Sequence, residues 1–206
     1  MSKVRAQKIK LIIFDVDGVL TDGTIWLFPA ASGGKSADFY DESGDPGNGR
    51  VILQSSMVEA KGFHAHDGIA ISLARTAGIK TGIITKRMSE TVALRGRDLR
   101  MDHVYQGQDN KLVAFEEMLA KEKLSAEEAA FVGDDIVDLP VMRRCGLAIA
   151  VANAREAVKD ESHFVTDHRG GDGAARDAIE YILRAQERLE EVVNVYLQSN
   201  VLKHKL

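Results

Sequence analysis

Asp15 and Asp17 stand two residues apart, directly after the apolar run Leu11, Ile12, Ile13, Phe14, in the stretch D-V-D-G-V-L-T-D-G. Four apolar residues bounded by Asp and Gly predict a buried strand that delivers both carboxylates to its C-terminal end. In an extended segment residues i and i+2 project to one side, so the pair faces one cavity, and Gly18 lets the backbone turn away. Two carboxylates so placed repel each other. The arrangement holds if a cation lies between them or if one carboxyl keeps its proton, and a hard, oxygen-ligated ion such as Mg²⁺ meets the first condition. Taken alone, D-x-D-G is equally consistent with an ordinary acidic turn.

Further along, Ala129 to Val132 is a second short apolar run that opens into Gly133, Asp134, Asp135 and then Asp138. Between the two, Ile83, Ile84, Thr85 places a hydroxyl at another strand end, and Lys111 follows in a polar loop that opens a helix. The order Asp-x-Asp, Thr, Lys, Gly-Asp-Asp-x-x-x-Asp resembles the four motifs of the haloacid dehalogenase superfamily of aspartate-nucleophile phosphatases. Within it, D-V-D-G-V-L-T-D-G, F-H-A-H-D-G, Y-Q-G-Q-D-N-K, G-D-D-I-V-D-L-P-V-M and R-G-G-D-G-A-A-R are similar to the 3-deoxy-D-manno-octulosonate 8-phosphate (KDO 8-phosphate) phosphatases. The likeness runs from Ile9 to about Arg184.

The resemblance implies a Mg²⁺-dependent phosphomonoesterase in which Asp15 is the nucleophile that forms an aspartyl phosphate. Asp17 would serve as general acid and then general base, and Thr85 and Lys111 would hold the phosphoryl oxygens. The metal ligands it implies are the side chains of Asp15 and Asp134 and the backbone carbonyl of Asp17. Asp135 and Asp138 either orient this cluster or cap the following helix, where an Asp is favourable without any metal. His64, His66, Asp67 and Gly68 occupy the family's substrate loop, with His66 where the family often has Arg. Lys86-Arg87 stands for the family's Gly-Arg. Arg87 and Arg95, eight apart, either face a common anion from one helical stripe or lie on an exposed helix face. Such cations suit a sugar acid whose carboxylate is remote from its phosphate, either the eight-carbon KDO 8-phosphate or the nine-carbon 2-keto-3-deoxynonulosonate 9-phosphate.

These side chains need a scaffold that brings distant strand ends together. Short apolar strands at Leu11–Phe14, 79–85, 101–105, 129–132, 147–151 and 163–165 alternate with amphipathic helices at 69–77, from Ser89 to about 99, 111–123 and 136–144. This alternation predicts one α/β domain over 1–206 with a doubly wound parallel sheet and no large cap domain. Asn110 or Asp109 is the expected cap of the helix that opens at Lys111. Residues 24–62 read as a β-hairpin flap, Thr24–Phe28 with Val51–Val58, carrying an inserted Gly- and Pro-rich loop at 29–50. Residues 174–198 read as one long helix on the 3.6-residue period of Ile179, Ile182, Leu183, Leu189, Val192, Val193, Tyr196 and Leu197. Its second half either folds back on the domain or meets another subunit, and the resemblance, which implies homotetramers, favours the second.

Composition narrows the partners. The 206 residues carry a formal net charge of -4, which offers no basic field for nucleic acid. Only four apolar residues follow the basic start, too few for a signal peptide, and no apolar run reaches membrane-spanning length, so a cytoplasmic protein is expected. The single Cys145 excludes an intrachain disulfide and reads as a small buried residue. A receiver-type signalling domain also combines an acidic cluster, Thr and Lys, but it lacks a general acid two residues after the phosphoacceptor. A catalytically silent partner domain of a sugar-nucleotide synthetase shares the fold, yet nothing here removes the chemistry.

Overall fold

The computed structural model describes residues 2–29 and 57–203. They divide into a core and a separate two-stranded hairpin. The core sheet consists of β1 (Leu11–Phe14), β4 (Lys80–Ile84), β5 (His103–Tyr105), β6 (Ala129–Gly133), β7 (Leu147–Ala150) and β8 (Phe164–Val165). All are parallel, in the order β5-β4-β1-β6-β7-β8. β1, β6 and β7 are buried at every position. That uninterrupted burial is what a parallel sheet covered by helices on both faces demands, and it explains why these strands read as apolar runs rather than alternations. The chain winds outward from β1 to β5, then crosses back to β6 and winds the other way. The two directions diverge at β1, where such sheets hold their ligands.

The helices follow local signals. α1 (Ser2–Ala6) precedes the sheet, a helix not foreseen in the sequence, and its Ala6 is buried. α2 (Ala65–Thr76) starts earlier than its apolar period, with His64 as cap residue. α3 (Glu90–Asp98) is capped by Ser89, whose hydroxyl accepts the Val92 N–H, and α4 (Lys111–Glu122) by Asn110, whose side chain accepts the Leu112 N–H at 3.1 Å. The expected helix at 136–144 is instead a 3₁₀ turn, Ile136–Asp138, followed by the short α5 (Leu139–Met142) with Pro140 in its first turn. α6 (Glu156–Asp160) follows β7. Cys145 is buried and free.

The long C-terminal helix breaks into α7 (Ala174–Ala185) and α8 (Leu189–Lys203). Between them Glu187 adopts φ 58°. The Gln186 amide donates to the carbonyls of Ala6 (3.2 Å) and Ile9 (2.8 Å), and the Arg188 guanidinium donates to Ala77 O at 2.8 Å. These bonds turn the chain so that α8 packs on α2 and Val192 is buried, while Leu189, Val193 and Tyr196 are partly covered by the core. This part of the helix therefore folds back on its own domain. Val195 and Leu197 stay exposed.

In the hairpin, β2 (Trp26–Pro29) pairs antiparallel with β3 (Met57–Ala60), Trp26 opposite Ala60 and Phe28 opposite Val58. The returning strand thus extends two residues beyond the expected Val58. The Trp26 and Phe28 rings stack 6.5 Å apart, and both are exposed. The expected insertion at 29–50 lies, but for Pro29, outside the described residues. No helix among the described residues is long and apolar enough to cross a membrane.

Candidate active site

Phe14 pairs with Ile83 on one side and Val132 on the other. Asp15, Thr85 and Asp134 therefore come within two residues of the same paired strand ends. The Asp15 N–H extends the ladder by donating to Val132 O at 3.0 Å, and its buried carboxylate accepts the Val16 N–H at 2.7 Å. Thr85 is buried, its N–H bound to Tyr105 O and its carbonyl to the Gln108 N–H.

Lys111, at the first position of α4, aims its ammonium back under the sheet edge. Nζ lies 2.8 Å from Asp15 Oδ2 and 2.6 Å from Asp138 Oδ1. The second Asp138 oxygen accepts the N–H groups of Asp134 (3.0 Å) and Asp135 (3.4 Å). Asp138 thus bonds the Lys111 ammonium with one oxygen and closes the 3₁₀ turn with the other. Asp135 is exposed and accepts the Ile136 N–H, a capping role.

Two glycines make this closeness possible. A Cβ on Gly18, which sits at φ 93°, would fall 2.2 Å from Asp134 Oδ2, and one on Gly133 would fall 2.6 Å from Asp138 Oδ2.

Oxygens of Asp15, Asp134 and Asp138 lie within 4.8 Å of one another. Three carboxylates against one ammonium leave an uncompensated negative charge. Burial, opposed by Lys111 and reinforced by Asp138, pushes the Asp15 carboxyl up to about 6. Burial together with the charges of Asp15, Asp138 and Asp135 pushes Asp134 up to about 7. Burial alone would lower Lys111, but the two carboxylates more than reverse it, so the ammonium keeps its proton. Asp134 Oδ1 is buried without a hydrogen-bond partner. An all-oxygen donor set, excess negative charge and an orphaned carboxylate oxygen fit a divalent hard cation such as Mg²⁺.

Asp17 is half-buried, and Arg87 Nε lies 3.8 Å from its Oδ2. α3 begins only at Glu90, so Arg87 lies in the turn before it and shares no helical stripe with Arg95. Arg95 instead lies over the Phe63 ring at 5.5 Å, and a Cβ on Gly68 would fall 3.0 Å from its Nη2. His64 and His66 meet edge to face at 4.7 Å, and His64 Nε2 lies 3.9 Å from Asp172 Oδ1. Asp67 is buried, and its Oδ1 accepts the Arg176 N–H at 3.0 Å. α7 begins at Ala174 with Gly173, which has no side chain, at its cap position, so Asp67 provides a cap from another helix. His64, Asp67, Gly68 and Arg95 thus form one group at the start of α2, while Arg87 stands with Asp17. Asn153, between β7 and α6, also reaches the Asp15 turn, its amide lying 3.4 Å from Gly18 O. No spacing relative to the Asp motifs marks it in the sequence.

The haloacid dehalogenase-like hydrolase family matches residues 71–177, a span that includes Thr85, Lys111 and Asp134. The chain is 38% identical over 186 residues to the KDO 8-phosphate phosphatase of Yersinia pestis, covering 90% of this chain and 86% of that protein. It is 38% identical over 187 residues to the enzyme of the same name from Escherichia coli K12. The Yersinia pestis crystal structure superposes with a TM-score of 0.76 at 36% identity, covering 92% of this chain and 88% of that one. A Moraxella catarrhalis KDO 8-phosphate phosphatase, solved with magnesium, phosphate and KDO, superposes with a TM-score of 0.76 at 32% identity, covering 94% and 97%.

Proposed function

The chain belongs to the haloacid dehalogenase-like hydrolases, and from that premise we propose that it hydrolyses KDO 8-phosphate to KDO and inorganic phosphate in lipopolysaccharide precursor synthesis. The observation that carries the chemistry is Lys111 held between Asp15 and Asp138, beside the orphaned oxygen of Asp134. The Asp15 carboxylate attacks phosphorus, the bond to the sugar oxygen breaks, and an aspartyl phosphate forms. Asp17 gives its proton to the leaving alkoxide, then takes one from the water that attacks phosphorus and frees Asp15. Lys111 and Thr85 hold the phosphoryl oxygens. Asp138 fixes the ammonium and the Asp134 backbone together. Asp15, Asp134 and the Asp17 carbonyl would hold Mg²⁺, which when bound offsets the repulsion between nucleophile and phosphate dianion.

The substrate assignment rests on the similarity to enzymes that carry this name and on the cations near the start of α2 and in the turn after β4. His64, His66 and Arg95, with Arg87 beside Asp17, supply positive or polar groups for a remote carboxylate. The exposed Trp26, Phe28 and Val58 on one hairpin face support self-association, since an isolated two-stranded hairpin gains little stability alone, and the proposal is a cytoplasmic homotetramer. The deciding experiment is steady-state kinetics on KDO 8-phosphate, the nine-carbon analogue and simple hexose phosphates, with Mg²⁺ and with chelator. A higher kcat/KM for KDO 8-phosphate is expected. Equal rates on all three would overturn the substrate assignment, and full activity in chelator would overturn the metal site. Native mass spectrometry tests the tetramer.

A further inference from the structure

The turn after Asp15 satisfies its own hydrogen bonds only in part. Val16 O collects the N–H groups of Val19, Leu20 and Thr21 together with the Thr21 hydroxyl. The carbonyls of Gly18 and Val19, both in buried residues, find their donors in distant parts of the chain. Gly171 N donates to Val19 O at 3.0 Å, and Asn153 Nδ2 donates to Gly18 O at 3.4 Å. The same amide accepts the Gly170 N–H on Oδ1 at 2.6 Å. Only a group that is donor and acceptor at once fits this position, and a flipped amide would set like against like on both sides.

Gly170 rests backbone to backbone on the turn, since a Cβ there would fall 1.7 Å from Gly18 O. On its other side Gly18 is pressed against Asp134. The segment that carries Asn153 also holds the Asp134 turn, through Arg155 N to Asp134 O at 2.9 Å and Val151 N to Gly133 O at 3.3 Å. The R-G-G stretch, which the four catalytic motifs do not use, thereby acquires a task.

We infer that Asn153 is a positioning residue: by clamping Gly18 to Gly170 it sets the turn that carries Asp15 and Asp17 in register with Asp134. The inference rests on the phosphatase reading. Asn153 touches no reacting atom. Its effect reaches the reaction through the placement of nucleophile and general acid, where small displacements slow the chemical step more than they weaken binding.

The test compares wild type, Asn153→Ala and Asn153→Asp on one phosphomonoester, with kcat expressed per folded enzyme and hydrogen exchange followed at Gly170. The alanine variant is expected to lose about tenfold or more in kcat with KM within about twofold, and to exchange the Gly170 amide faster. The aspartate variant keeps the acceptor for the Gly170 N–H but turns a second acceptor toward Gly18 O, so it is expected to slow the Gly170 exchange again while its kcat stays as low as that of the alanine variant. An alanine variant with wild-type kcat overturns the inference even if its Tm falls, and so does an aspartate variant with wild-type kcat. A wild type inactive on every ester overturns the phosphatase reading instead, and the inference with it.

Discussion

Lys111 and Asp138 hold each other at 2.6 Å where neither side chain meets solvent. Through its second oxygen Asp138 also holds the Asp134 N–H, so one carboxylate joins the proposed phosphate-binding Lys111 to the proposed metal ligand Asp134. Asp138→Asn removes the charge and turns an N–H₂ toward a donor. It is expected to destabilise the protein by about 3 kcal/mol, the low end for a broken buried pair because Asp15 still faces the ammonium, and to lower kcat. An unchanged urea midpoint would refute this account.

Asp15→Asn should abolish turnover, by more than about a thousandfold, with the fold retained, because the amide keeps the shape and loses the nucleophilicity. Asp17→Asn should act differently. It slows proton transfer at both steps, so an enzyme species heavier by one phosphoryl group should accumulate and be seen by intact-mass spectrometry. Substantial turnover by Asp15→Asn would remove that residue from the nucleophile role.

The raised carboxyls make metal binding depend on pH. Asp15 at about 6 and Asp134 at about 7 both lie above the ordinary 3.8. Between those values the folded metal-free chain binds more protons than the unfolded chain, so the contribution of these groups to stability is fully present below about pH 4 and is lost as pH rises through about 6 to 7. A cation must displace these protons. Thermal unfolding should therefore show a larger Mg²⁺-induced rise in Tm at about pH 8 than at about pH 5.5. Equal shifts would argue that neither carboxyl is a ligand.

Truncation before Val192 should destabilise the domain itself. It uncovers part of α2 and forfeits the burial of Val192, worth about 1.5–3 kcal/mol, while leaving the Arg188 bond to Ala77 O in place. A truncated protein with the parent Tm would mean that α8 adds nothing to its own core.

Much of this was readable in the sequence because parallel strands leave uninterrupted apolar runs, and the polar residue that follows each run is displayed at one sheet edge. Asp15, Thr85 and Asp134 each follow such a run, and Ser89 and Asn110 announce their helices by side chains that accept N–H groups. The break at Gln186 was invisible because the apolar period continues across it, and the bonds that redirect the chain come from the carbonyls of Ala6, Ile9 and Ala77, remote in sequence. Asp67 reads as a loop carboxylate beside Gly68, and only the third dimension brings it to the bare start of α7. The returning hairpin strand, expected to end at Val58, runs on to Ala60, because its apolar residues lie on an exposed ribbon where burial sets no alternation.

Much of the site is walled by main chain. Gly18, Gly133 and Gly170 each occupy a place where even a methyl group would overlap the Asp134 or Asp138 carboxylate or the backbone of the Asp15 turn. In a library sampling every residue at every position, these three should therefore accept nothing larger than hydrogen, as narrow in tolerance as Asp15 although none of them takes part in the chemistry. Room to alter the proposed preference among sugar acids would then lie with side chains such as His66 and Arg87, and outside the tightly fitted floor.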